Sequence, residues 1–407
     1  MKITILGSGK EVGRSGFLVT SDNTNILLDY GVLLKKEPSF PIHVRPKDIS
    51  TVVLTHAHLD HSGYIPSLFL SNSNISVLGT NPTFELSDLL IEDMLKISGF
   101  YLPFEYADLN NMMSHSKTLQ YKERHLINNM QITLYESGHI IGGSSIIVES
   151  EGKRIFYTGD INTRGSKLLN PADLDLPEVD VLIIESTYSQ TEQTPRDESE
   201  KNLMHFAYDV VERAQEIACV LKANNFKHRI SMDGMALKAN EIMLRNPSFL
   251  RDAEGFKKII SEIEWVKGWH RRKHLVKEPG VIISPAGMLV GGTAIFYLQE
   301  IAKNPSNGIA LVSYQGKGTP GRLLLEKGLV SYNGITRKSL ADVNHFEFSG
   351  HSSRTELFEI LDKIKGNPRV LTVHGDDMSC TKFASEIKEK YGFDAIAPDN
   401  GEIMEVN

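Results

Sequence analysis

His56-Ala57-His58-Leu59-Asp60-His61 concentrates three histidines and one aspartate within six residues, directly after the apolar run 51–54. Imidazole nitrogen and carboxylate oxygen are ligand types that suit Zn²⁺, with no thiolate required. Alternate side chains of an extended chain share a face, so His56 and His58 point the same way. Asp60 and His61 then fall beyond the strand end and can face a second ion. The plain alternative is a solvated histidine-rich turn, which rarely packs these ligand types into an HxHxDH pattern. Asp29 closes another apolar run, 25–28, just before Tyr30-Gly31. A carboxylate there can accept the other ring N–H of a ligating histidine. An ordinary strand-end aspartate is the competing reading.

The elements that must hold these residues are short and apolar. Runs 3–6, 17–20, 25–29, 51–55 and 75–79 read as strands, punctuated by Gly13, Gly16 and Gly31. A helical period covers 82–96, with Leu86, Leu89, Leu90, Met94 and Ile97 on one side. Strands return at 131–136, 144–149, 154–158 and 179–185. From Ser186 the texture changes. Residues 191–200 are polar, 198–223 read as one helix, and 231–265 are helix-rich. Runs 280–284 and 308–314 are strand-like. The end resembles the beginning, with apolar runs at 343–348 and 369–373, a helix over 379–391 and a strand at 402–406. An inserted domain between two parts of one parent domain explains this change and return.

The 407 residues suffice for two domains. Hydrophobic residues at 41% and charged residues at 23% are ordinary for a soluble chain. No apolar run approaches the roughly 18 residues of a membrane span, and the first residues read as a strand rather than a signal peptide. Cys219 and Cys380 stand far apart, with no disulfide framework and no CxxC pair, so a reducing cytoplasm is expected. The net charge of −7 argues weakly against nucleic acid, but a polyanion responds to the local field of a groove, and bound cations are absent from that count. Lys267, His270, Arg271, Arg272, Lys273, His274 and Lys277 cluster in one stretch. Alone it reads as a solvated helix face.

His56, His58, Asp60 and His61 resemble the signature motif of the metallo-β-lactamase superfamily. The remaining pattern follows in order, with Gly138-His139 after one strand and Thr158-Gly159-Asp160 after another. The resemblance implies an α/β fold, a four-layer αββα sandwich with two Zn²⁺ at the sheet edge. It implies His56, His58 and His139 on one zinc, Asp60 and His61 on the other, and Asp160 bridging both. Three further segments resemble the β-CASP branch of nucleic-acid nucleases: Glu185-Ser186-Thr187-Tyr188, Phe348-Ser349-Gly350-His351-Ser352-Ser353, and Val373-His374-Gly375-Asp376. His374, as histidine, is similar to the RNA-cutting members and implies a further ligand of the second zinc. The implied organisation is 1–185 and 346–407 as parent fold, with 186–345 as an inserted β-CASP domain. The segments 284–289 and 313–315 are also similar to strand ends of that domain, and the archaeal homologues of the cleavage and polyadenylation specificity factor nuclease are similar overall.

The expected chemistry is hydrolysis of RNA to 5′-phosphate and 3′-hydroxyl ends, by endonucleolytic cutting, 5′-to-3′ trimming, or both. Asp60 receives or orients a water proton, and His351, held by Glu185, protonates the leaving oxygen. Ser349, Ser352 and Ser353 are candidate phosphate contacts, with helix N-capping as the competing reading. In this light the basic stretch near His270 becomes a phosphate-backbone patch. A small-molecule hydrolase of the same parent fold is the alternative, and an inactive RNA-binding subunit is a third. Gly7-Ser8-Gly9-Lys10 and Gly316-Lys317-Gly318 lack P-loop spacing. The sequence departs from the family where Val210-Val211-Glu212 runs straight into Arg213-Ala214-Gln215-Glu216-Ile217. A strand and its loop are missing there: simple loss would leave an unpaired edge in the inserted sheet, and the alternative is that the protein has these residues and the sequence at hand omits them. The C-terminal strand could pair across a two-fold axis in a homodimer.

Overall fold

The computed structural model describes residues 1–406 apart from 35–36, 71–73, 207–209, 212–213, 286–288, 290, 313–314, 317 and 333–334. Parts of the family-like segments 284–289 and 313–315, and of the 316–318 glycine pair, lie outside the described residues. The chain divides into two compact units, Met1–Gly165 with Leu169–Glu192 and Gly350–Asn407, and Ser166–Leu168 with Gln193–Ser349.

In the first unit, β1 (Lys2–Gly7), β2 (Gly16–Ser21), β3 (Thr24–Leu28), β4 (Thr51–Val53), β5 (Ser76–Gly79) and β6 (Ser116–Thr118) lie side by side in chain order. Next, β7 (Arg124–Ile127), β8 (Met130–Glu136), β9 (Ser144–Ser150), β10 (Lys153–Tyr157) and β11 (Val181–Glu185) run through a second sheet. The second unit contributes β12 (Val210–Val211), β13 (Ile230–Met232), β14 (Glu264–Trp265), β15 (Val281–Ile283), β16 (Gly308–Leu311), the hairpin β17 (Leu329–Tyr332) and β18 (Ile335–Lys338), and β19 (Asp342–His345). The chain returns to the first unit through β20 (Arg369–Val373) and β21 (Ala395–Ile396), which extend the second sheet beyond β11. Finally β22 (Ile403–Glu405) adds to the outer side of β1.

Alternation of side chains along each strand builds the layers. On β11, Val181 and Ile183 join a core with Ile3, Ile5, Phe17, Val53 and Leu371, between the two sheets. Leu182 and Ile184 point the other way, against Leu357, Ile360, Phe383 and Ile387 of the helices Arg354–Lys363 and Asp377–Tyr391. The first sheet does the same: Val53 faces inward, while Val52 and Leu54 pack with Ile91 and Met94 of the helix Asn81–Ser98. Strands apolar on both faces read as continuous runs because both faces are covered. The result is the αββα sandwich.

The second unit is a six-stranded parallel sheet in the order β14-β13-β15-β12-β16-β19. Two expectations are corrected here. The single helix expected over 198–223 is two helices, Arg196–Phe206 and Ala214–Ala223, separated by β12. β12 hydrogen-bonds to both β15 and β16. It therefore fills an interior lane, and the expected unpaired edge does not arise. Adjacent strands offer N–H and C=O groups that two β-branched valines satisfy better as strand than as helix. The basic stretch also changes character. Arg271 pairs with Glu264 and Glu278, and Arg272 forks onto the buried Asp233 at 2.7 and 3.0 Å. Both arginines are engaged by acids of the same unit, Arg271 at the surface and Arg272 on a buried carboxylate. Among the described residues no helix is long and apolar enough to cross a membrane.

Ile183 is fully buried between the sheets. Ile183→Ala should cost roughly 2–5 kcal/mol of unfolding free energy, measured by chemical denaturation. A loss under about 1 kcal/mol would show that the inter-sheet core collapses around the gap.

Candidate metal centre

β3, β4 and β5 run parallel, and β8, β10, β11 and β20 run parallel to one another in the second sheet. Ligand sites in such sheets gather at the carboxyl ends of strands. Asp29 follows β3, and 55–61 follow β4. His139 follows β8 through Gly138, Asp160 follows β10 through Gly159, Glu185 ends β11, and His374 follows β20. The turns bend sharply to aim these side chains. Asp29 and His374 take left-handed φ values of 56° and 52°, and a β-carbon on Gly31 would sit 1.7 Å from the Asp60 carbonyl oxygen. Such strain is held by surrounding structure. The 7–16 loop does much of the holding: Ser15 N–H donates to Asp60 O at 2.7 Å, and His374 N–H donates to Ser8 O at 2.9 Å.

Asp29 is fully buried and accepts four hydrogen bonds, from Thr55 N–H and Thr55 Oγ1 at 2.8 Å each, Tyr157 OH at 2.9 Å and His61 Nδ1 at 2.7 Å. Because the Thr55 hydroxyl donates to Asp29, it can only accept from His56 Nδ1, 3.0 Å away. His139 Nδ1 donates to the Gly350 carbonyl at 2.7 Å. All three rings therefore carry a proton on Nδ1 and present Nε2 to a common space. His58 enters the same space with Nδ1, 3.1 Å from Nε2 of both His56 and His139. On the other side, the Thr187 hydroxyl donates to the His374 carbonyl and so accepts from His374 Nδ1, each at 3.2 Å. This turns His374 Nε2 toward Asp60, 3.2 Å away.

Asp160 lies between the two groups. Its Oδ2 is 3.4 Å from His56 Nε2 and 3.5 Å from His139 Nε2. Its Oδ1 is 3.3 Å from His61 Nε2 and 3.6 Å from His374 Nδ1. Oδ1 is buried and has no hydrogen-bond partner among the described residues. His56, His58, His139 and Asp160 can hold one ion, and Asp60, His61 and His374 another. This donor set fits cations well: His58 Nδ1 lies 3.1 Å from the Nε2 atoms of both His56 and His139, and an orphaned carboxylate oxygen is costly to bury otherwise.

The electrostatics divide the same way. Burial, then the neighbouring His61, lowers His56, and burial, then His351, holds His139 well below the ordinary imidazole range. Burial opposes a proton on His61, but Asp160, Asp29 and Asp60 outweigh it and hold His61 well above that range. Burial likewise opposes the proton on His374, which Asp160 and the hydrogen bond to Asp60 restore. Burial would raise Asp160, yet His374, His61 and His351 keep it well below the carboxylate range. The carboxylates thus favour positive charge beside His61 and His374, a demand that a cation held by the same residues would also meet.

His351 stands beside the centre, 17% exposed, with Nε2 3.8 Å from Asp160 Oδ2. Its Nδ1 donates to Glu185 Oε2 at 2.8 Å, and Glu185 Oε1 accepts Ile161 N–H at 2.8 Å. Asp60 is the more exposed of the cluster's two carboxylates, at 30% against 2% for Asp160. The serines are differently placed. Ser353 caps the helix Arg354–Lys363 in a capping box with Glu356, and Ser352 is fully buried. Ser349 is half-buried and belongs to the second unit. Thr55, Tyr157, Thr187 and Ser15 went unread in the sequence. Thr55 adjoins the histidine motif and Thr187 lies within the segment 185–188, whereas Ser15 and Tyr157 are isolated polar residues whose roles depend on distant partners.

Residues 18–186 match a family model described as a metallo-β-lactamase superfamily domain, 214–324 a Beta-Casp domain, and 339–398 a Zn-dependent metallo-hydrolase RNA specificity domain. The chain is 37% identical over 417 residues to "RNase aCSPSF2" of Saccharolobus solfataricus, spanning 98% of this chain and 84% of that one. The chain belongs to the β-CASP ribonuclease branch of the metallo-β-lactamase superfamily. As a member of that branch it is a metal-dependent ribonuclease. It is also 32% identical to "Probable RNase MJ4" of Methanocaldococcus jannaschii across the whole of both chains. A third relative, "Transcription termination factor FttA" of Pyrococcus horikoshii, is 33% identical over 98% of this chain and 70% of its own. A solved protein of unknown function from Enterococcus faecalis V583 shares the fold, with a TM-score of 0.64 at 14% identity over 99% of both chains.

Asp29→Ala would leave four donors around an emptied carboxylate site. It should destabilise the fold by about 3–5 kcal/mol, whereas Tyr157→Phe, which removes one donor, should cost about 1 kcal/mol. Denaturant midpoints of the two variants test this, and equal losses would refute the central place of Asp29.

Proposed function

We propose that the protein hydrolyses RNA phosphodiester bonds with two Zn²⁺ ions, leaving 5′-phosphate and 3′-hydroxyl ends. The observation that carries this reading is Asp160, whose two oxygens each face a separate group of histidines. His56, His58 and His139 would hold one ion and Asp60, His61 and His374 the other, with Asp160 placed to serve both. Paired divalent ions supply Lewis-acid charge for the phosphoryl oxygens and a water acidic enough to attack near neutral pH.

The chain's own residues do the rest. Asp29 and Thr55 orient His61 and His56 so that their Nε2 lone pairs face the centre. Asp60, the most accessible carboxylate of the centre, receives the proton of the attacking water. His351 holds a proton on Nε2 and delivers it to the departing 3′-oxygen, while Glu185 fixes the ring through Nδ1. Glu185 is in turn anchored by Ile161 N–H, so the imidazole cannot swing away. The same centre serves internal cutting and 5′-to-3′ trimming. Two further proposals complete the reading. β22 is the outermost strand of the first sheet, with Ile403 exposed, and offers an edge for a homodimer. Two free, buried cysteines suit a reducing cytoplasm.

Elemental analysis should find two zinc ions per chain, falling to about one in His374→Ala and Asp60→Ala together with loss of RNA cleavage. Full zinc and full activity in either variant would sink the second site. His351→Ala should keep both ions yet lower kcat roughly 10²–10⁴-fold. Cleavage of circular RNA reports internal cutting, and dependence on a 5′-monophosphate reports trimming.

A further inference from the structure

The helix Gly268–Leu275 of the second unit carries charge that the metal centre does not use. With Arg271 and Arg272 engaged on acids, the cations left exposed are Lys267, Lys273 and Lys277, together with the imidazoles of His270 and His274. None of these five has an ion pair among the described residues. Positions 270, 273 and 274 follow the i, i+3, i+4 pattern and form a stripe on one side of the helix, and Lys277 lies just beyond the helix end, in a turn whose N–H donates to the His274 carbonyl. The acids nearest in sequence, Glu264 and Glu278, are already paired with Arg229 and Arg271. The stripe is therefore a locally positive face on a chain of net charge −7.

Trp269 adjoins this stripe and is 57% exposed. A single exposed aromatic needs no explanation, but this one is held in place. The Arg272 guanidinium lies 5.1 Å from its ring centre, and Phe296 meets it edge-on at 5.3 Å. Arg272 is itself locked by the fork to buried Asp233, which also accepts the Tyr297 hydroxyl at 2.6 Å. A buried carboxylate thus fixes an arginine, and the arginine fixes an indole at the surface. A fixed aromatic face costs little ordering when a base stacks on it.

Cations in a row beside a fixed indole match the chemistry of a single-stranded polynucleotide, whose phosphates follow the charge while a base stacks. We propose that the face formed by Lys267, Trp269, His270, Lys273, His274 and Lys277 is an RNA-binding surface that anchors substrate independently of the metal centre. This inference rests on the ribonuclease reading, since it names where that substrate is held. The surface contributes affinity and salt dependence, and it leaves the chemical step untouched.

The full-length protein is assayed on single-stranded RNA and on bis(p-nitrophenyl) phosphate, a diester too small to extend beyond the reacting phosphate. The triple variant Lys267→Gln, Lys273→Gln, Lys277→Gln should lower the slope of log KM against log salt by about 2, at roughly 0.7 for each phosphate no longer neutralised. Its KM for RNA should rise at least about tenfold at moderate salt, with kcat and diester hydrolysis unchanged. Trp269→Ala should raise KM about tenfold, and Trp269→Tyr should recover most of it, which separates stacking from misfolding. An unchanged salt slope and KM in a triple variant that still cuts RNA would overturn the surface, and would leave the face to a protein partner. Failure of the wild-type protein to cut any RNA would instead overturn the ribonuclease reading itself.

Discussion

The buried carboxylate of Asp160 sets the terms for the rest of the first unit. Each of its oxygens faces histidine nitrogens from different strand ends, and one oxygen has no hydrogen-bond donor among the described residues. A carboxylate in such a place is stable only beside positive charge. Its neighbours favour protonated His61 and His374, which supply such charge, and a cation held by the same cluster would supply it as well. Assembly of the site and retention of metal are consequently one physical problem.

Solving it requires two sheets whose carboxyl ends meet at one edge. The inter-sheet core of Ile3, Ile5, Val53, Ile183 and Leu371 fixes the distance between those ends. The turns beyond the strands then carry the cost, with left-handed backbone at Asp29 and His374 and a close backbone approach at Gly31 that leaves no room for a side chain. Hydrogen bonds from Ser15 and Thr55 N–H groups, and one from His374 N–H to the Ser8 carbonyl, hold those turns in place. Two small hydroxyl residues, Thr55 and Thr187, set which ring nitrogen His56 and His374 turn inward.

The second unit shows how formal charge misleads. Seven basic or imidazole residues crowd 267–277, but the two arginines among them neutralise buried or neighbouring acids. What remains exposed is lysine and histidine beside an indole held from beneath. Arginine's rigid fork suits internal pairing with a carboxylate, whereas flexible lysines stay hydrated at the surface.

Much of the metal centre was legible because ligand chemistry compresses into short local patterns. His56, His58, Asp60 and His61 share one turn, and His139, Asp160 and His374 each follow an apolar run. The strand–helix texture likewise follows from hydrophobic periodicity, but the compact units divide at Glu192–Gln193 and Ser349–Gly350, and the apolar run from 343 begins as an edge strand of the second unit's sheet. The sequence could not reveal that Val210-Val211 is an interior strand, since two valines after a helical run carry no local sign of the neighbours that pair with them. Nor could it reveal that Ser353 is consumed as a helix cap, or that Tyr157 and Thr187 steer groups far away in the chain. Residue types and spacing determined which ligands exist. Tertiary structure alone decided which atom of each faces inward, because a hydrogen bond between distant residues leaves no periodic mark on the chain.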